Sequence, residues 1–89
     1  MARIAFTRHL EAVGPSGQAS YPGATLSEVL DAVAADYPRL KSYVLDDRGR
    51  VRKHIAIFVD GELKPRESAL ALPLGEGSDV YVFQALSGG

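Results

Sequence analysis

The chain has 89 residues, 46% hydrophobic and 24% charged, with a formal net charge of -1 and no cysteine. That is enough for one domain with its own core, and the near-neutral balance offers no global field for nucleic acid or an anionic membrane. Without cysteine there are no disulfides, thiolate nucleophiles, iron–sulfur ligands or Cys-based zinc sites. His9 and His54 are the only histidines, too few for a metal site.

No apolar run approaches the ~20 residues that span a bilayer. Arg3, Arg8 and His9 interrupt the N-terminus where a signal peptide would be continuously apolar. The expectation is a cytoplasmic protein with no nucleic-acid or membrane partner. Charge is nonetheless uneven. Residues 39–54 carry six basic and two acidic side chains, a net +4, whereas residues 60–89 carry five acidic and two basic, a net -3. The basic stretch reads as a solvated loop, with a docking patch for an acidic partner as the alternative.

In chain order, residues 3–8 alternate, with Ile4 and Phe6 on one face and Arg3 and Thr7 on the other, which predicts a half-buried strand. Gly14-Pro15-Ser16-Gly17 is a turn, residues 18–21 form a weaker second strand, and Pro22-Gly23 closes it. Thr25-Leu26-Ser27-Glu28 fits a capping box, with Ser27 as a competing cap. Leu26, Val29, Leu30, Val33, Ala34 and Tyr37 then recur at helical spacing. Pro38 disfavours helix in the residue before it, so the helix should run about three turns and stop near Tyr37.

The connection over residues 38–52 has a short helical turn at Leu40, Tyr43, Val44 and Leu45, then a turn at Asp46-Asp47-Arg48-Gly49. Residues 53–59 are almost wholly apolar, a pattern expected of a central strand buried on both faces. Asp60-Gly61 signals a type I′ hairpin, Glu62-Leu63-Lys64 a short return strand, and Pro65 its end. Leu70, Leu72 and Leu74 plug one end of the core. Gly75-Glu76-Gly77-Ser78 turns the chain into a last strand over residues 79–83, with Val80 and Val82 on one face and Tyr81 and Phe83 on the other.

Strand, strand, helix, strand, short strand, strand is an α+β order. One helix covers one face of a mixed sheet of four to five strands. The simplest arrangement puts the first and last strands side by side, parallel, at the centre: the β-grasp, or ubiquitin-like, fold. The expected division is a β-grasp domain over residues 1–85 and a flexible tail over residues 86–89. The tail ends in Ser87-Gly88-Gly89. Glycine lacks a Cβ and enters channels too narrow for other residues. A terminal carboxylate, with a reference pKa of about 3.5, is ionised at neutral pH. Four residues from Leu86 reach about 13 Å at roughly 3.3 Å each. The free α-carboxyl of Gly89 is therefore the candidate working group, against the bland reading of an inert tail.

The order of elements, the run Ile57-Phe58-Val59-Asp60-Gly61-Glu62, the ending Asp79-Val80-Tyr81-Val82-Phe83-Gln84-Ala85-Leu86-Ser87-Gly88-Gly89 and the length resemble the MoaD/ThiS family. These are the small ubiquitin-like sulfur carriers of molybdopterin, thiamin and cysteine biosynthesis. The resemblance covers essentially the whole domain. Its most specific part is the last strand running into an apolar residue, a small residue and Gly-Gly. The connection from Asp36-Tyr37-Pro38 to Arg50-Val51-Arg52 resembles the longer members, including the carrier of a cysteine-forming pathway.

The resemblance implies that an E1-like adenylyltransferase activates Gly89 with ATP and that sulfur replaces the adenylate to give a thiocarboxylate. Gly88 would let the tail thread the adenylating site, and Leu86, Ser87 and the neighbouring strand surface would contact partners; Phe83 is a candidate partner contact from its place just before the tail. The chain would then be a protein cosubstrate rather than an enzyme, without a cofactor or metal of its own. It would serve a sulfur donor protein and a sulfur-accepting synthase. Gln84-Ala85 stands where molybdopterin-type carriers often have prolines, and the loop from Leu10 to Tyr21 is long for the thiamin type, so the pathway stays open. Two rivals stand beside this reading: a ubiquitin-like modifier joined to lysines through the same carboxyl, with Lys41, Lys53 and Lys64 as self-conjugation sites, and a β-grasp interaction module. His54 reads as structural, and Tyr21, Tyr37, Tyr43 and Tyr81 as core-edge residues.

Overall fold

A computed structural model describes residues 1–85. Its strands are β1 (Ala2–Phe6), β2 (Ala19–Tyr21), β3 (Ile55–Val59), β4 (Glu62–Lys64) and β5 (Asp79–Gln84), and its helices are α1 (Arg8–Glu11), α2 (Leu26–Asp36) and α3 (Leu40–Val44). The sheet order is β2-β1-β5-β3-β4. β1 and β5 are parallel, with Ile4 opposite Val80 and Phe6 opposite Val82. β3 runs antiparallel to β5, with Ile57 opposite Val82. The expected β-grasp is the observed fold, and the last strand is its centre.

The inner face of the sheet and the apolar stripe of α2 make the core. Ile4, Leu26, Val29, Val33 and Val82 are fully buried, and Leu30 and Ile57 are 1% exposed. α2 forms where its 3.6-residue period demands. The Thr25 Oγ1 accepts from the Glu28 amide at 3.3 Å. The reciprocal half of the box is displaced: Glu28 Oε1 accepts from the Ala24 amide at 2.9 Å, one residue ahead of the cap. Gly23 lies against the first turn with φ +152°, and a Cβ there would sit 2.7 Å from the Val29 amide nitrogen, so the chain enters the helix as only glycine permits. After α2, Pro38 ends the helix and α3 buries Leu40 and Val44. Asp60 (φ 52°) and Gly61 (φ 83°) make the expected primed hairpin turn.

Two expectations are corrected, and a third segment gains an element. First, α1 intervenes between β1 and the Gly14–Gly17 turn. The Thr7 carbonyl accepts from the Leu10 and Glu11 amides at 2.9 and 3.1 Å, and the turn drives Leu10 wholly into the core. Second, β3 lies between β5 and β4 and begins at Ile55, with Lys53 and His54 exposed before it. Ile55, Ile57 and Val59 are buried, but Ala56 and Phe58 are only half-buried, because the helices pack on the other face. Third, the segment carrying Leu70, Leu72 and Leu74 contains a 3₁₀ turn, Ala69–Ala71, whose Ala69 is fully buried. The three leucines pack partly buried against the core, as expected.

Tyr21 ties β2 to the end of α2: its hydroxyl donates to Asp36 Oδ2 at 2.8 Å. That hydrogen bond, then partial desolvation, then the charge of Asp36, push the phenol up to about 12. The folded state therefore favours the protonated phenol. Its contribution to stability is intact below the ordinary value of about 10 and is lost as pH rises through about 12. In a titration of tyrosinate absorbance, the expected outcome is a late component near 12 that Tyr21→Phe removes and Asp36→Asn brings down. A Tyr21→Phe curve identical to wild type at high pH would refute this assignment.

Candidate functional site: the open sheet face and the exit of β5

A strand points successive side chains to opposite faces. In β5 this sends Val80 and Val82 into the core and leaves Tyr81 and Phe83 outside, each 40% exposed. Cross-strand register surrounds them with apolar neighbours: Phe58 stands opposite Tyr81 and Ala56 opposite Phe83 on β3, and Ala5 stands beside Tyr81 on β1. Leu63, 63% exposed, continues the patch opposite Phe58 on β4. The Phe58 and Tyr81 rings are 6.5 Å apart and the Tyr81 and Phe83 rings 6.4 Å. Ala5, Phe58, Tyr81 and Phe83 line a shallow depression of about 400 Å³. Among the described residues, this face holds three of the five large exposed hydrophobic side chains. Such a contiguous patch marks a docking surface.

β5 is held on both sides to its last described residue. On the β1 side the Thr7 amide donates to the Val82 carbonyl at 3.1 Å, and Thr7 Oγ1 accepts from the Gln84 amide at 3.1 Å. On the β3 side the Ala85 amide donates to the His54 carbonyl at 2.9 Å. Thr7 thus caps the end of β1 and braces β5, so the backbone is fixed up to Ala85. The N-terminal end of β5 is acidic and equally fixed: Asp79 pairs with Arg3 at 2.8 Å, and its amide donates to Asp60 Oδ1 at 2.9 Å.

At the exit end lies the Asp46–Arg50 turn. The Asp46 carboxylate accepts from the Arg48 and Arg50 amides at 2.9 and 3.0 Å. The Arg50 amide bond is the main reason its carboxyl sits below the usual range. Arg50, Arg52, Lys53 and His54 follow along an open groove.

Of the proposed site residues, Phe83 lies on the open face beside Tyr81. Leu86, Ser87, Gly88 and Gly89 lie outside the described residues. Tyr21 and Tyr37 pack partly buried on the core in the expected core-edge role, whereas Tyr43 and Tyr81 are 41% and 40% exposed. Sequence reasoning passed over Thr7, Phe58, Leu63 and Tyr81. The strict alternation of residues 79–83 was the available signal for Tyr81. Nothing local marks Thr7, whose partner lies across the sheet. No helix among the described residues is long and apolar enough to cross a membrane.

Comparison with known proteins agrees with this geometry. The ThiS family model matches residues 6–89. Small archaeal modifier protein 1 of Haloferax volcanii is 33% identical over 66 residues, covering 74% of this chain and 71% of that protein. A crystal structure of that protein superposes with a TM-score of 0.77 at 26% identity, covering 99% of this chain and 98% of the other. The fold also matches the Amycolatopsis orientalis BexX/CysO complex, with a TM-score of 0.87 at 19% identity over all of both chains. Mycobacterium tuberculosis CysO matches with a TM-score of 0.86 at 21% identity, over 97% of this chain and 100% of the other. At those two identities the likeness is one of fold. The chain belongs to the ThiS family, the MoaD/ThiS-type ubiquitin-fold sulfur carriers and small modifiers.

Proposed function

We propose that this protein is a sulfur carrier whose working group is the carboxyl of Gly89, borne on a tail of residues 86–89 that leaves a domain of residues 1–85. An E1-like enzyme supplies ATP. A carboxylate oxygen attacks the α-phosphate and pyrophosphate departs, leaving an acyl adenylate. Sulfide-level sulfur, released from a donor protein as HS−, then attacks the acyl carbon and AMP departs. The resulting thiocarboxylate gives its sulfur to a synthase in cofactor, amino-acid or other metabolite biosynthesis. The chain is a cosubstrate in this scheme, at work in the cytoplasm, or a small subunit of the synthase. The groups that perform the chemistry lie on its partners.

The observation that carries this reading is the join between β5 and the Gly-Gly sequence. A central strand, braced by Thr7 and by the His54 carbonyl, is followed in the sequence by a Gly-Gly segment thin enough to thread a narrow site. The apolar face around Phe83 and Tyr81 supplies docking area beside it. Gly88 lets the tail thread, while Leu86 and Ser87 complete the contact. Membership of the ThiS family, and a fold-mate solved as a complex with a second protein, support the same reading.

A second reading, conjugation to lysines through the same carboxyl, draws support from the 33% identity to small archaeal modifier protein 1. The two diverge only after adenylation, when sulfur or an amine attacks. Intact mass after incubation with an E1-like enzyme, ATP and a sulfur donor separates them. The expected product carries one sulfur in place of one oxygen. A ladder of heavier adducts would transfer the assignment to the modifier.

A further inference from the structure

The end of the sheet where β5 exits bears a second surface, separate from the apolar face. An open groove of about 730 Å³ runs between the segment before β3 and the Arg66-Glu67 pair. Arg50, Arg52, Lys53 and Arg66 line it against Asp46 and Glu67, an excess of two positive charges. Two of the cations are already positioned. Arg66 Nη1 donates to the Val51 carbonyl at 2.9 Å, and Arg52 Nε donates to the Ser42 carbonyl at 3.1 Å. Each guanidinium keeps its charge and several donors. Asp46 is occupied by the amides of its own turn, and its contact with Arg50 is a loose 3.7 Å. An exposed pair of that kind neutralises little.

Position gives the groove meaning. His54 lines it, and the His54 carbonyl holds the Ala85 amide, so the groove borders the point where the chain leaves β5. Asp60, Glu62, Glu76 and Asp79 gather instead around the N-terminal end of the same strand, where Lys64, the N-terminal amine and Arg3 pair with three of them. The groove's excess of positive charge lies at the opposite end of the sheet, where β5 stops.

We propose that this groove docks an acidic polypeptide segment of the adenylating enzyme, a proposal that rests on the reading that Gly89 is adenylated. That step brings a carboxylate up to an anionic triphosphate. Attraction remote from the reacting atoms offsets their repulsion. A segment of carboxylates and small apolar residues fits the lining, where the cations are interspersed with Val51 and Leu70. Nucleic acid fits poorly. Among the described residues the lining holds no Phe, Tyr or Trp for base stacking, only the His54 imidazole, and the net charge of the chain is -1.

The test is pyrophosphate exchange by the E1-like enzyme of the source organism, with the carrier as varied substrate. The variant is Arg50→Glu with Lys53→Glu. Both side chains are exposed, and neither makes the backbone bonds of Arg52 and Arg66, so a melt should match wild type. A KM for the carrier raised about tenfold or more at unchanged kcat, with the wild-type salt dependence flattened, is the expected result. Rescue by Arg50→Lys with Lys53→Arg is expected alongside. A KM within about twofold of wild type, or a loss confined to kcat, overturns the proposal. So does binding of ATP or a short oligonucleotide to the isolated carrier that the variant abolishes. If wild type supports no exchange at all while the enzyme is active on its own carrier, the function assigned to Gly89 fails, and this inference with it.

Discussion

Deleting Gly89 is expected to slow adenylation by on the order of 100-fold or more while leaving the thermal midpoint unchanged. The deletion keeps a terminal glycine carboxylate, so the chemistry of the group is the same. Only its reach changes, by roughly 3.3 Å, and misplacing a reacting group by about 1 Å can cost on the order of 100-fold. Stability should not follow, because among the described residues the buried apolar core lies between Ala2 and Val82. Pyrophosphate exchange reads the first effect and a thermal melt the second. A truncated chain that is adenylated as fast as wild type would remove Gly89 from the reaction. A chain that loses activity and melts earlier by several degrees would make the tail a structural element instead. Single-residue truncation separates these outcomes better than removal of the whole tail, which would eliminate the proposed docking contacts and the proposed reacting group together.

The parts of this fold that could be read in the sequence are those whose signal is local. The Thr25 cap and the 3.6-residue period located α2. The Asp60-Gly61 pair announced its turn, and the alternation of residues 79–83 assigned both faces of β5. Elements fixed by distant partners were not legible. α1 has one core residue, Leu10, in four, too few for any period to show. β3 was misread for an instructive reason. Its apolar run looked like burial on both faces, but Ala56 and Phe58 lie on the open one. Apolar residues kept where the fold does not bury them are a sign of a partner, so the error pointed at the candidate site. The basic stretch of residues 39–54 was legible as an alternative docking patch, but the groove was not: it joins residues 50–54 to Arg66, which meet only because the β3-β4 hairpin folds back.

The same division between faces makes the second large effect specific to function. Phe83→Ala is expected to weaken binding to the adenylating enzyme by about 2 kcal/mol or more, roughly 30-fold in Kd. Aromatic anchors at the centre of a desolvated patch carry most of an interface's energy, and Phe83 sits among Ala56, Tyr81 and Phe58 close to the exit of the chain. Folding should lose less than about 1 kcal/mol, the range of a cross-strand pair, here Phe83 with Ala56, since the ring is already 40% exposed. Ile57→Ala supplies the contrast. Ile57 is 1% exposed on the inner face, and truncating it should cost about 2–5 kcal/mol of stability through the lost contacts and the cavity left behind. Urea unfolding measures one quantity and titration calorimetry with the enzyme the other. If Phe83→Ala destabilises the fold as much as Ile57→Ala, the ring is part of the core and the open face has no claim as a docking surface. If it changes neither quantity, the partner approaches from elsewhere, and the basic groove beside His54 is left as the contact that orients the tail.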